Sequence, residues 1–326
     1  MKKVFVIGSN SFSGGSFVNL LLKKNYIVFG ISRSSLNKKS LLNFDHKNIR
    51  FKFIKLSIVS NQNEIIQLIK KERPKYIINY AAQSMVGQSW DNPQDWFLTN
   101  SYSMPILYKK IYDLNIITKL IHISTPEVYG NSSKVIKVNN NFKPSTPYAV
   151  SRTTADSYLE ILNEFYGYPY VAIRAANVYG EYQKLYRIIP KTIGYFINNK
   201  KIELHGGGLS KRSFIHIDDV SKATFLIMTK GNNGEVYHIS SDELISIRML
   251  VKKISKNLNV NYFKLTKITK DRIGKDKAYI LDSTKTKKLG WKAEISLDEG
   301  IERVIKWFSK YSKQFNDSDY YYKHKK

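Results

Sequence analysis

The chain has 326 residues, 42% hydrophobic and 13% aromatic, enough for a sizeable core and two lobes. It has no cysteine, which excludes disulfides and thiolate chemistry, and its six histidines, His46, His122, His205, His216, His238 and His324, lack zinc-ligand spacing, so no metal is expected. The net charge of +27 comes from lysines spread along the chain without a basic helix, arm or aromatic-interleaved stripe, and no apolar run reaches the ~18 residues of a membrane span. A cytoplasmic protein with neither nucleic-acid nor membrane partner is therefore expected.

Residues 3–7 form a β-branched apolar run that predicts a strand. It ends in Gly8-Ser9-Asn10-Ser11-Phe12-Ser13-Gly14-Gly15, after which Phe17, Val18, Leu20, Leu21 and Leu22 follow helical spacing. Strand, glycine turn and helix are the context of a dinucleotide site. Gly8 permits the tight turn and Gly14 lets the helix approach the strand. The pyrophosphate would rest on amides around Ser11, Phe12 and Ser13 at the helix N-terminus. Ser11 stands where the middle glycine of G-x-x-G-x-x-G belongs, so its side chain either narrows the cradle or donates its hydroxyl to a phosphate. Alone, the loop reads equally as a nucleotide site or a plain turn.

A second strand over 26–31 ends at Ser32-Arg33-Ser34-Ser35. An acidic residue there would select NAD, and none is present. Arg33 between hydroxyls suits a ribose 2′-phosphate, so the cofactor is NADP or NAD with the balance slightly toward NADP, although a solvated loop would look the same. Residues 51–58 read as a third strand, with Ser57 and Ile58 toward the adenine. After a helix over 64–71, residues 76–83 read as a fourth, in which Tyr80, Ala81 and Ala82 let the cofactor lie against backbone. Strands alternating with helices at this rhythm predict a parallel, doubly wound sheet.

A helix over 95–114 leads to an apolar strand over 119–123 that breaks at Ser124-Thr125-Pro126-Glu127-Val128-Tyr129-Gly130. Active residues collect at such strand ends, and Thr125 offers a hydroxyl and Glu127 a carboxylate. A loop then returns to Pro147-Tyr148-Ala149-Val150-Ser151-Arg152, which opens a helical run. Tyr148 and Arg152, four apart, share one helix face. The fixed cation favours phenolate and would bring the phenol closer to the working pH range. A surface pair would show the same spacing.

Past Gly180, residues 186–193 read as loop then helix, and 201–208 as a strand into a flexible turn. Strands near 214–217 and 236–239 are expected to return to the main sheet. Residues 247–258 and 297–308 have helical period. The tail after Ser309 has no clear period and reads as loosely held. The expected division is a dinucleotide-binding domain over 1–178, with return segments near 213–241, and a mainly substrate-binding lobe over 179–326.

Several separate segments resemble, in order and spacing, the extended short-chain dehydrogenase/reductase family, closest to its nucleotide-sugar 4,6-dehydratase branch. They are Gly8 to Gly14, Ala81-Ala82-Gln83-Ser84 with Asn100, Ser124 to Gly130, Tyr148 to Arg152, Arg174-Ala175-Ala176-Asn177-Val178-Tyr179-Gly180, Arg212 to Val220, and Asp271-Arg272-Ile273-Gly274-Lys275-Asp276. The resemblance implies an α/β fold: a Rossmann-type sheet with a smaller α/β C-terminal lobe. It implies Tyr148 as the base at the sugar 4-hydroxyl, Thr125 holding that oxygen, and Glu127 removing the C5 proton as water leaves C6. Arg152 and Asn100 would join the cofactor site. Gln83, Ser84, Asn177, Arg187, Arg212, Arg272 and Lys275 would meet a nucleotide-diphosphate sugar, with Lys275 and Tyr279 near its base. A homodimer through the helices beginning near Asp95 and Tyr148 is also implied. Two positions depart from the family: Arg152 replaces a lysine, and Pro126 stands where dTDP-glucose dehydratases have an aspartate acid. A 4-epimerase or 4-dehydrogenase of the same fold stays open, as does a non-catalytic dinucleotide or sugar-nucleotide sensor.

Overall fold

The computed structural model describes residues 2–132, 134–270 and 280–324. Strands β1 (Lys3–Ile7), β2 (Ile27–Ser32), β3 (Phe51–Lys55), β4 (Tyr76–Asn79) and β5 (Lys119–Ile123) are interleaved with helices α1 (Phe12–Lys23), α2 (Gln62–Glu72), α3 (Pro93–Trp96) and α4 (Met104–Asp113). A short strand β6 (Val135–Ile136) precedes α5 (Pro147–Tyr166), β7 (Tyr170–Ala175), β8 (Asn177–Tyr179) and α6 (Ile188–Ile197). Then come β9 (Ile202–His205), β10 (Lys211–His216), α7 (Ile217–Lys230), β11 (Glu235–Ile239) and β12 (Leu244–Ser246). The chain continues through α8 (Ile247–Asn257), β13 (Thr266–Thr269), β14 (Ile280–Leu281), α9 (Thr284–Lys288) and α10 (Leu297–Tyr311).

Seven strands form one sheet in the order β11-β7-β5-β4-β1-β2-β3, and every neighbouring pair runs parallel. Its strands are apolar on both faces because helices cover both. Phe17 and Leu21 of α1 pack with Ile227 of α7 on one side; Ile69 of α2, Leu107 of α4 and Leu159 of α5 pack on the other. A separate core joins Ile193 of α6, Leu250 of α8 and Ile301 of α10 in the C-terminal lobe.

The expected return of 236–239 to the main sheet is met by β11, whose Val236 pairs with Ala172. The strand expected near 214–217 does not return there. β10 runs parallel to β8, with Phe214 opposite Asn177, and antiparallel to β12, forming a separate small sheet. Only Ala176 separates β7 from β8, so the chain leaves the main sheet at that residue and carries its next partner with it.

The helix expected over 95–114 is a composite. Between α3 and α4, residues Phe97–Ser103 form a π-helical stretch. Pro105 has no N–H to close the ordinary turn, and the Ser103 carbonyl accepts from Gln62 Nε2 at 2.7 Å. The tail is also better fixed than its sequence suggests, because Tyr320 is 5% exposed inside the C-terminal core. No helix among the described residues is long and apolar enough to cross a membrane.

Candidate active site

Strand register sets the site. Ile7 lies beside both Ile31 and Asn79, and Ile31 beside Ile54, so the segments following these four residues emerge at one carboxyl edge. The sheet order reverses between β1 and β4, which opens a crevice there. A cavity of about 210 Å³ is lined by Gly8, Ser11, Ser32, Arg33, Ser34, Ser57, Ile58, Tyr80, Ala81 and Ala82, all expected at the cofactor. Phe12 and Ser13 begin α1 beside it. Gly8 has φ 83°, and a Cβ there would fall 2.6 Å from the Ala81 nitrogen. A Cβ on Gly14 would fall 2.2 Å from the Gly8 oxygen. Both glycines thus keep a cradle that any side chain would fill.

Ser11 lines the cavity while its oxygen is also engaged within the loop, which leaves its O–H free to donate. It is the N-cap of α1, and its Oγ accepts from Gly14 N at 3.0 Å. Ser34 points into the protein, because Asn10 Nδ2 donates to its Oγ at 3.0 Å and to the Ser35 carbonyl at 2.6 Å. Asn10 N donates to Ser32 Oγ, and Asn37 N to Asn10 Oδ1. Asn10 therefore sews the glycine loop to the β2 loop, a role that motif spacing does not show. Outside this seam, Arg33, Lys38, Lys55 and Lys184 border a second cavity of about 630 Å³, with Asp319 at its rim.

The reacting edge is built by β5 and α5. Thr146 caps α5, its Oγ1 accepting from Ala149 N at 3.1 Å, and Pro147 pre-sets the first turn. Tyr148 is thereby fixed in the first turn, where its N–H donates to Ser89 Oγ at 3.1 Å. Tyr148 is 8% exposed and Arg152 2% exposed, so the pair is not a surface pair. Thr125 hydrogen-bonds the Tyr148 hydroxyl, and Glu127, Arg152 and Arg187 act on that phenol electrostatically. The expected lowering of its pKa is not what results. Burial raises it, with help from Glu127, and Arg152, Thr125 and Arg187 recover only part, leaving the phenol above its ordinary value.

Arg152 Nη2 donates to the Ile123 carbonyl and lies 3.5 Å from His122 Nε2, while its Nε and Nη1 are buried without a hydrogen-bond partner among the described residues. Buried guanidinium donors left open this way are available to an acceptor on a ligand. Together with the glycine cradle they fit a dinucleotide whose ribose hydroxyls reach this helix. Behind Arg152 stands Asp156, which accepts from His122 Nε2 at 2.9 Å, Ser124 Oγ at 2.7 Å and Arg174 Nη2 at 2.7 Å. Burial opposes its charge, but Arg174, His122 and Arg152 outweigh that and hold its carboxyl well below the usual range. Burial lowers the pKa of His122, so the ring is neutral, with Nε2 protonated toward Asp156 and Nδ1 accepting from Tyr108 Oη at 2.6 Å. The sequence reading missed this cluster. A lone aspartate within a helix carries no spacing signal.

The remaining expected residues divide. Asn100 is fully buried, bonding the Gln83 N–H and carbonyl and Ser151 Oγ, each at 3.0 Å. It positions the β4 loop and α5, and its donors face protein rather than cofactor. Gln83 is buried in that loop and Ser84 exposed beside it. Asn177 Nδ2 donates to the Ser213 carbonyl at 3.3 Å, and Arg212 Nη1 to the Lys211 carbonyl at 2.8 Å; both residues lie on the small sheet. Arg187 is the N-cap residue of α6 and faces Tyr148. Arg272, Lys275 and Tyr279 lie outside the described residues.

Comparison with known proteins agrees with this geometry. A dTDP-D-glucose 4,6-dehydratase of Mus musculus is 28% identical over 319 residues, covering 95% of this chain and 89% of that protein. Among solved structures, a UDP-glucose 4-epimerase of Thermotoga maritima superposes with a TM-score of 0.86 at 28% identity, covering 94% of this chain and 99% of that one. A dTDP-glucose 4,6-dehydratase of Streptomyces venezuelae, solved with NAD bound, superposes with a TM-score of 0.89 at 24% identity, covering 96% and 98%, a likeness of fold. The family model described as GDP-mannose 4,6 dehydratase matches residues 5–304, and the chain belongs to that family.

Proposed function

We propose that the protein is an NADP- or NAD-dependent 4,6-dehydratase of a nucleotide-diphosphate hexose, yielding the 4-keto-6-deoxy sugar nucleotide. The observation that carries this reading is the Tyr148 phenol bonded to Thr125 with the Glu127 carboxylate and the Arg152 cation acting on it. Tyr148 accepts the proton of the sugar 4-hydroxyl while Thr125 holds that oxygen. A nicotinamide held by the glycine cradle and Arg152 would supply the hydride acceptor for C4 and the hydride source for C6. Glu127 removes the C5 proton, made acidic by the C4 ketone, as the C6 hydroxyl departs as water. Pro126 has no proton to give, so Glu127 passes the proton it took from C5 to the departing oxygen, and C5 is then reprotonated with a proton drawn from solvent. Arg187 at the N-terminus of α6 suits the diphosphate, with Asn177 and Arg212 on the small sheet, in a substrate lobe taken as residues 179–326.

Pro126 is the feature that favours the second reading, a 4-epimerase, which needs no acid for a leaving water. Turnover of candidate nucleotide sugars in heavy water separates the two. Dehydration gives a product lighter by one water with deuterium at C5. A 4-epimer with no C5 deuterium would overturn the dehydratase assignment, and no turnover with any nucleotide sugar would leave only a sensor.

The basic border of the outer cavity, Arg33, Lys38, Lys55 and Lys184, supports NADP as the bound form. Arg33→Ala is expected to weaken NADP binding roughly tenfold or more and leave NAD binding nearly unchanged, since a charge-assisted bond is worth about 1.5–3 kcal/mol. Equal losses for both would refute the 2′-phosphate assignment. A homodimer is part of the same proposal. Phe97, Tyr102, Ile161 and Phe165 expose large apolar side chains on the π-helical stretch and α5, which pack together. Native mass spectrometry should show twice the chain mass, and a monomer would exclude this part.

A further inference from the structure

The residues after α10 form neither a long helix nor a strand, yet they are held at successive points. Lys38 Nζ meets Asp319 Oδ2 at 3.1 Å, and Lys200 Nζ meets Asp317 Oδ1 at 2.6 Å. Tyr320 is packed against α6 so closely that a Cβ on Gly194 would fall 2.2 Å from its hydroxyl oxygen. Tyr322 lies edge-on to Tyr186, ring centroids 5.4 Å apart, and both Arg33 and Arg187 act on its phenol. At the far end His324 stacks on Trp96 at 5.1 Å, and its Nε2 meets Asp95 Oδ2 at 2.6 Å.

These contacts fall on different walls. Tyr186, Arg187 and Gly194 belong to the substrate lobe; Arg33 and Lys38 follow β2 at the outer cavity; Asp95 and Trp96 begin the helical run that brings Thr99 to the cofactor crevice. The segment therefore leaves the lobe, passes Arg33 and Arg187, and ends on the dinucleotide-binding side. Its anchors are unequal. Tyr320 is core, whereas the His324 and Asp95 side chains keep 18% and 12% exposure. Release would start at the His324 contact.

We propose that residues 317–324 form a strap closed over the outer cavity at the Arg33 edge of the dinucleotide crevice, latched by His324 on Asp95 and Trp96, which retains the cofactor between turnovers. The inference rests on the crevice binding a dinucleotide and is independent of the dehydration chemistry. A strap fixed beside Arg33 slows departure of the dinucleotide without closing the small-sheet side of the site.

The test is the dissociation rate of bound NADPH, followed by the change in its fluorescence after a chase with excess NADP. His324→Ala, and separately a chain ending at Tyr321, should each release the cofactor about tenfold faster, the effect falling on the off-rate. Turnover at saturating cofactor and the melting temperature should stay unchanged. Release within twofold of wild type in both variants would overturn the strap. Failure of the wild type to bind either dinucleotide would instead remove the crevice assignment, and the strap with it.

Discussion

Replacing Tyr148 with phenylalanine is expected to lower kcat by about 10²–10⁴-fold, the usual contribution of a positioned proton acceptor, while dinucleotide affinity stays near wild type. The side chain is 8% exposed, and phenylalanine fills the same space, so folding should survive. What disappears is the oxygen bonded by Thr125. Without it the 4-hydroxyl proton has no acceptor, so rapid mixing with substrate should show no reduced nicotinamide at all. The wild-type profile carries a matching sign. Because burial lifts this phenol above its ordinary value, the basic form gains population as pH rises, and kcat/KM should climb toward alkaline pH. Substituting Arg152 with glutamine removes a charge that opposes the lift and should move that limb further alkaline. A Tyr148→Phe variant with wild-type turnover would dismiss the phenol as the base.

Glu127→Gln should fail at a different step. The amide has nearly the same shape but cannot take the C5 proton, so formation of the 6-deoxy product should fall by at least about 10²-fold. Tyr148 and Thr125 remain, so oxidation at C4 should proceed and reduced nicotinamide should accumulate after mixing. The carboxylate normally raises the Tyr148 pKa, so its neutralisation should also shift the oxidation limb toward lower pH. A variant that makes product at the wild-type rate would take Glu127 out of the mechanism. One that accumulates no reduced nicotinamide would make the carboxylate part of the oxidation step.

Six strands of the seven-stranded sheet were legible as short apolar runs, while β7 was not read and residues 214–217 were assigned to that sheet in its place; the glycine loop and the clustering of Thr125, Glu127, Tyr148 and Arg152 followed from strand ends and helix spacing. Three further matters were not legible. Spacing placed a cation beside Tyr148 but carried no measure of burial depth, and burial decides the direction of its pKa. The helix-capping bond from Gly14 N to Ser11 was not read because it depends on loop geometry. The tail looked loose because Tyr320, Tyr322 and His324 have no period, and each is fixed by a partner more than a hundred residues earlier in the chain.

The Asp156 cluster has a consequence for how the molecule assembles. The Asp156 carboxylate comes from α5, whereas His122 and Arg174 donate to it from β5 and β7, so a partly docked intermediate that buried the carboxylate without those donors would be destabilised by several kcal/mol. States in which the helix arrives ahead of its strands are thus depopulated, and this half of the protein should fold in one cooperative event. Amide exchange showing α5 and β7 opening with separate free energies would contradict that coupling.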